Sequence, residues 1–144
     1  MKKIHLRLIT PMGIKIEQDA DMVVMRSITG DVGVLPSHDP YSVALADGIM
    51  RITAGAMERR IAIYGGLATV QQNVLTVLVN DAEWPEEIDR ARADADREHA
   101  ERRLQERTDD LEISEDQVLL RRALMRIEVS SNPHLETDDN EGEV

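Results

Sequence analysis

The chain of 144 residues carries 28 Asp and Glu against 17 Lys and Arg, a formal charge of -11, and contains no Cys, no Phe, one Trp and two Tyr. That size fits one or two small domains. The absence of Cys excludes disulfides, thiolate zinc sites and a cysteine nucleophile, and the negative charge argues against free binding to nucleic acid, whose phosphates require a basic surface.

The N-terminus, Met1-Lys2-Lys3-Ile4-His5-Leu6-Arg7, is basic but lacks the apolar stretch of a secretory signal, so a cytosolic protein is expected. Ile4 to Leu8 and Ile14 to Glu17 alternate apolar and polar residues at period two, between turn residues such as Thr10-Pro11 and Gly13. Further short runs follow at Met22 to Ile28, Val43 to Ala46, Ile49 to Ile52, Arg60 to Tyr64, Leu67 to Val70 and Val74 to Val79. The last of these is broken by Thr76 and is far shorter than the roughly 20 residues of a membrane helix. Asp47-Gly48 between two runs is a hairpin signal. Eight or more strands in about 80 residues, with no helical pattern between them, predict an antiparallel sandwich or barrel. With so few aromatics its core must be built from Ile, Val, Leu, Met and Ala.

At Trp84-Pro85 the pattern changes. Pro85 suits the first position of a helix, and Glu86, Glu87 and Asp89 suit the positive end of its dipole. A first helix is predicted from here to about Thr108, with a thin seam of Ile88, Ala91, Ala93, Ala95, Ala100, Leu104 and Leu111. Ser114 and Gln117 form a capping-box pair that opens a second helix, with Leu120, Ala123, Leu124 and Ile127 on one face and Asn132-Pro133 at its end. Two helices so closely joined return antiparallel, as a hairpin of marginal stability. Residues 131–144 hold five acids and no Lys or Arg, the composition of a disordered tail. The expected organisation is therefore a β-sandwich over 1–84, a helical hairpin over 85–130 and an acidic tail over 131–144. Charge follows the same division: residues 1–84 sum to -1 and residues 85–144 to -10, and every basic residue after Trp84 is Arg. Exclusive use of Arg suggests planar, multidentate pairing in the second half.

Catalytic constellations are scarce. The sequence has no Walker A loop, no Gly-x-Gly-x-x-Gly, no His-Glu-x-x-His and no nucleophile elbow. His5, His38, His99 and His134 show no metal-ligand spacing. Ser37-His38-Asp39 lie too close on one loop to form the serial hydrogen bonds of a hydrolase triad, and a turn fixed by Pro36 and Pro40 leaves His38 exposed. Two segments stand out. The loop from Gly30 to Pro40 displays Asp31 and His38, or is simply a strand connection. Ile88-Asp89-Arg90-Ala91-Arg92-Ala93 faces Arg122 and Arg126, four apart on the second helix, or is simply part of a salt-bridged hairpin.

These residues resemble the epsilon subunit of the bacterial F-type rotary ATP synthase, over about residues 4–130. Gly30-Asp31-Val32-Gly33-Val34-Leu35-Pro36-Ser37-His38-Asp39-Pro40 is similar to the family's Gly-acid-x-Gly-x-x-Pro-Gly-His-x-Pro signature, with Ser37 where Gly is usual. Leu45, Gly48, Ile49, Arg51-Ile52, Gly65-Gly66, Val70 and Val74 to Leu78 also match. The resemblance implies a ten-stranded antiparallel sandwich followed by a two-helix hairpin, in a non-catalytic rotor subunit that requires no cofactor. Its implied partners are the gamma subunit, the c-ring and the alpha/beta catalytic hexamer, at the cytoplasmic face of the bacterial plasma membrane. It implies that Asp31 and His38 meet the c-ring. The hairpin, folded on the sandwich, permits ATP hydrolysis; extended along gamma it inhibits, with Arg121, Arg122 and Arg126 meeting a beta subunit. Ile88-Asp89-Arg90-Ala91-Arg92-Ala93 matches the Ile/Leu-Asp-x-x-Arg-Ala motif with which some members bind one ATP as a regulatory ligand, without hydrolysis. That match implies Asp89 on the adenine amino group, Ala93 leaving room for the base, Arg92, Arg122 and Arg126 on phosphates, and Glu83 as a further contact. His99 stands where strong binders carry Arg, which implies a weaker, pH-dependent phosphate contact. A free-standing adaptor or ligand-binding sandwich with a helical arm is the alternative that composition allows.

Overall fold

The computed structural model describes residues 2–106, 110–132 and 134–136. Ten strands come first: β1 (Ile4–Thr10), β2 (Gly13–Ala20), β3 (Met22–Ser27), β4 (Gly30–Val34), β5 (Tyr41–Leu45), β6 (Gly48–Ala54), β7 (Met57–Ile63), β8 (Gly66–Gln71), β9 (Val74–Leu78) and β10 (Ala82–Glu83). Helices α1 (Arg90–Glu106) and α2 (Asp110–Ser131) follow, then β11 (His134–Glu136). The strand order is β10-β7-β6-β3-β5-β8-β9-β1-β2, with β4 on β3 and β11 on β7. The two layers of the sandwich, β4-β3-β6-β7-β10 and β5-β8-β9-β1-β2, join through the pair Ser27–Leu45, flanked by the backbone hydrogen bonds Ile28 N–H to Ala44 and Ala46 N–H to Arg26. All ladders are antiparallel except β1 with β9.

Period-two alternation places the core. Along β1, Ile4, Leu6 and Leu8 are fully buried while His5, Arg7 and Ile9 face outward; along β6, Met50 and Ile52 point in and Ile49 and Arg51 point out. The core they form is made of Ile, Leu, Val, Met and Ala, as the composition requires. Strand β7 is apolar on both faces at its end: Ile61 and Ile63 enter that core, while Ala62 and the following Tyr64 belong to a second cluster outside it. Two turns fix the geometry between strands. Gln72 and Asn73 both have positive φ, 51° and 63°, in the tight turn joining β8 to β9. Gly66 starts β8 so close to β9 that a Cβ there would lie 2.0 Å from the Leu78 carbonyl oxygen.

Several expectations are corrected. The Asp47-Gly48 signal does not make a hairpin: β5 pairs with β8 and β6 with β3 and β7, so the chain changes layer at this turn. The segment from Gly30, expected as a displayed loop, begins as strand β4, which pairs antiparallel with β3 from Val23 to Ser27, so that alternate N–H and C=O groups are satisfied there. Pro85 opens only a single 3₁₀ turn, Pro85–Glu87, not the first helix. Glu87 folds back to accept from the Trp84 N–H at 3.0 Å and to pair with Lys15 of β2 at 2.6 Å, leaving Ile88 extended at φ -87° and ψ 127°. Helix α1 starts after Asp89, whose side chain caps it by accepting from the Arg92 N–H at 3.1 Å. Helix α2 starts at Asp110, so Ser114 lies inside it rather than capping it.

Leu124, expected on the buried face of the second helix, is 46% exposed. Ala123 of that expected face is fully buried, and the helix also buries Asp116, which pairs with Arg103 of α1 at 3.4 Å, and Met125 and Val129 toward the sandwich. Residues 131–144 are not uniformly without structure, because α2 runs through Ser131 and His134–Glu136 pairs with β7; the remainder of the expected tail, 137–144, lies outside the described residues.

Candidate functional site

The site is the seam where α2 lies on the outer face of β6 and β7. On the sheet side, Ala62 and Glu83 are register partners of β7 and β10, so both side chains rise toward α2 beside Tyr64. On the helix side, Arg122, Met125, Arg126 and Val129 follow the i, i+3, i+4, i+7 spacing of one stripe. Met125 and Val129 pack with Ala62 and Tyr64, flanked by Ile49 and Ile88. The two arginines run along the edge of this apolar contact. Arg126 Nε donates to Glu83 Oε1 at 2.8 Å, and Arg122 Nε donates to Asp47 Oδ2 at 2.9 Å. Both guanidinium carbons lie 5.2 Å from the centroid of the Tyr64 ring, within cation–π range. The Tyr64 hydroxyl donates to the same Glu83 oxygen that Arg126 holds.

Charge and burial reinforce one another here. Burial, and then the hydrogen bond to the Glu83 carboxylate, push the Tyr64 hydroxyl well above its ordinary pKa, so it stays protonated and a donor. Burial lowers the Arg126 guanidinium's pKa, but Glu83 and Tyr64 outweigh it, and the net shift is upward. Asp47 takes a second cation as well: Arg121 Nη2 lies 3.7 Å from the same oxygen, while that arginine's side chain remains 59% exposed.

The structure brings together part of the expected ligand set. Glu83, Ile88, Arg122 and Arg126 gather at this seam. Arg122 and Arg126 face the sandwich rather than Asp89 and Arg92, which are exposed at the start of α1, where Arg90 Nη1 donates to Ser131 Oγ at 2.8 Å. Ala93 is buried in the α1–α2 seam. His99 is exposed on α1, with Nε2 3.4 Å from Arg103 Nη1. Asp31 and His38 are not presented together: Asp31 is exposed on β4 opposite Arg26, and His38 lies beyond the other end of that strand. Nor is His38 fully exposed. It is half-buried, its Nδ1–H donates to the Asp39 carbonyl at 2.6 Å, and its ring centroid lies 5.8 Å from that of Tyr41. Asp39 thus meets the imidazole through its backbone, not its carboxylate, which removes a triad geometry. Among the described residues no three of His, Asp and Glu gather as a metal site.

Tyr64 and Asp47 are the members that sequence reasoning missed. Tyr64 was legible only as the end of an apolar run, although a buried Tyr hydroxyl demands a partner. Asp47 was masked by its place in an Asp-Gly turn. Beyond Asp47 a groove of about 1270 Å³ opens between α2 and the β3–β4 turn, with Ile28, Asp31, Leu120 and Leu124 among its walls.

A ten-stranded sandwich that carries a helical hairpin on its outer face, seated by arginine–carboxylate pairs around a tyrosine, defines a class of protein: a β-sandwich with an appended helical arm. Two family models account for both parts. "ATP synthase, Delta/Epsilon chain, beta-sandwich domain" matches residues 3–85, and "ATP synthase, Delta/Epsilon chain, long alpha-helix domain" matches residues 86–131. The chain belongs to this family, the delta/epsilon chains of ATP synthase. It is 41% identical over 129 residues to the ATP synthase epsilon chain of Syntrophobacter fumaroxidans, covering 90% of this chain and 96% of that one. It is 36% identical over 132 residues to the epsilon chain of Bacillus velezensis, covering 92% and 100%. Among solved structures, a chain of the Euglena gracilis mitochondrial ATP synthase shares the fold with a TM-score of 0.68 at 22% identity, over 91% of this chain and 79% of that one.

Proposed function

We propose that this chain is a non-catalytic central-stalk subunit of an F-type ATP synthase. Its sandwich joins the gamma subunit to the c-ring, and its hairpin switches between a seat on the sandwich and an extended form that reaches the alpha/beta hexamer and inhibits ATP hydrolysis. Relatives named as epsilon chains support the subunit assignment, and neighbours in structures titled as mitochondrial ATP synthase, "OSCP/F1/c-ring" and "central stalk/cring", agree with the fold. The proposed location is peripheral, at the cytoplasmic face of the bacterial membrane. Among the described residues no helix is long and apolar enough to cross a bilayer.

The observation that carries the switching part is the composition of the seat. Four buried apolar side chains, Ala62, Tyr64, Met125 and Val129, are surrounded by Arg122–Asp47 and Arg126–Glu83. A contact so small and so dependent on paired charges is held by a narrow free-energy gap, which a partner or a polyanion can bias.

ATP is the ligand this donor set suits. Arg122 and Arg126 present two forked guanidinium groups from one helix face, next to an aromatic ring, and Arg92 stands exposed on the neighbouring helix. Binding phosphates there requires Asp47 and Glu83 to give up their arginines, which tunes affinity downward. The decisive experiment is a calorimetric titration of the full chain with ATP, with GTP and ADP as controls and a chelator present. Saturable, ATP-selective binding supports the nucleotide-held seat. No binding up to millimolar ATP removes it and leaves the arm governed by gamma and the hexamer. The rotor role is tested separately by copurification of gamma and the catalytic subunits with this chain.

A further inference from the structure

The family model for the helical part ends at residue 131, yet the chain continues into a strand that touches the sandwich again. Strand β11 runs antiparallel to β7 with His134 opposite Arg59, Leu135 opposite Glu58 and Glu136 opposite Met57. It covers the outer edge of β7, the same edge that β10 covers farther along at Ala62 and Ile63. Alternation of the β6–β7 ladder from its two-residue turn, Gly55-Ala56, sends the Met57 and Arg59 amides to β6 and the Glu58 amide to the outer edge. Leu135 is therefore the residue of β11 that exchanges backbone hydrogen bonds with Glu58.

We infer that β11 is a latch: a C-terminal strap that pins the hairpin in its seated form and must unpair before α2 leaves the sandwich. The argument is one of reach. Only Asn132 and Pro133 separate Ser131, the end of α2, from His134. Three Cα steps span roughly 11 Å at full stretch, so α2 cannot swing away from β7 while β11 stays paired to it. The strand follows directly on α2 in the chain, so the latch acts on α2. Edge pairing by a short strand suits a reversible fastening, because it adds only one or two net backbone hydrogen bonds and buries little apolar surface. This inference rests on the hairpin being mobile, as proposed above, and adds to it a chain-encoded restraint that involves no ligand.

The test uses the full chain, its Leu135→Pro variant, which removes the N–H that faces Glu58, and a chain ending at Asn132. Because the protein has no Cys, fluorophores placed by Met12→Cys and Glu115→Cys report the distance between sandwich and α2 by energy transfer, while hydrogen exchange at the Glu58 amide reports the strand. Both altered chains are expected to exchange at Glu58 faster by roughly tenfold, the scale of one or two net hydrogen bonds, and to populate the separated form more by a similar factor. Unchanged exchange at Glu58 overturns the latch, and so does faster exchange without any gain in separation. Val129→Asp, which breaks the seat itself, tells the two readings apart. If it separates the labels while Leu135→Pro does not, the latch alone fails; if neither separates them, hairpin mobility fails and the latch with it.

Discussion

Arg126 and Glu83 meet 2.8 Å apart across the junction of α2 and β10, with side chains only 27% and 21% exposed. A pair this sheltered is worth more than a surface ion pair, because the loss of either partner strands the other in a site that also contains the Tyr64 hydroxyl. Arg126→Ala is expected to destabilise the seat of α2 by about 1–3 kcal/mol, and Tyr64→Phe by about 1 kcal/mol. Hydrogen exchange of the α2 amides checks this. Protection in α2 should fall while that of the β1 and β9 amides holds; an equal fall in both would mean that the sandwich itself had loosened.

The nucleotide reading makes a prediction of opposite sign for the carboxylates and the arginines. Arg122→Ala and Arg126→Ala each remove a guanidinium and should weaken ATP binding at least about tenfold without unfolding the sandwich. Asp47→Asn removes the group that competes for Arg122 and should strengthen binding. Unchanged affinity in both arginine variants would sink the phosphate assignment.

Ser37 occupies a left-handed backbone conformation, φ 65°, and its N–H donates to Asn73 Oδ1 at 2.9 Å. A side chain in that region costs about 1–2 kcal/mol, part of which glycine recovers against its greater freedom when unfolded. Ser37→Gly should therefore raise stability by about 0.5–1 kcal/mol in chemical denaturation, and the His38 turn should keep its contact with Asn73. This conformation also gives the physical reason why glycine suits the position.

His5 lies outward on β1, with Nδ1 2.9 Å from Asp19 and Nε2 3.2 Å from Glu17 on β2. Those hydrogen bonds, Asp19 first and Glu17 second, raise its pKa above 6.5. The stabilisation is fully present below the unfolded value and is lost as pH rises through the higher folded value. A proton NMR titration should place the His5 midpoint above 6.5, and His5→Gln should flatten the fall of Tm between about pH 6 and 8. A midpoint at or below 6.5 contradicts the assignment.

Much of this architecture was legible along the chain. Period-two alternation in residues 4–8 set which side chains enter the core, because a strand's faces are fixed by its own sequence, whereas the same alternation in residues 14–17 buries Ile16 but leaves Ile14 54% exposed. The switch to Ala-rich, glycine-free sequence after Pro85 announced the helices, and the motif residues from Ile88 to Ala93 together with the Gly30–Pro40 signature pointed to the family. Pairing was not legible in the same way. Asp47-Gly48 carries a hairpin signal, yet its flanking strands join different neighbours, since burial of both on one core outweighs a turn preference.

What the sequence determined by itself was local: strand faces, the helical segments, the composition of the core and the positions of chemically capable residues. What tertiary structure decided was which charges meet. Spacing put Arg122 and Arg126 on one face but could not say that this face turns to Asp47, Glu83 and Tyr64 rather than to α1. Nor could composition foretell that part of an acidic tail pairs with β7. The reason is the same in both cases. Periodicity is a property of one element and its neighbours in sequence, whereas partners 43 and 75 residues apart are chosen by the packing of the whole chain.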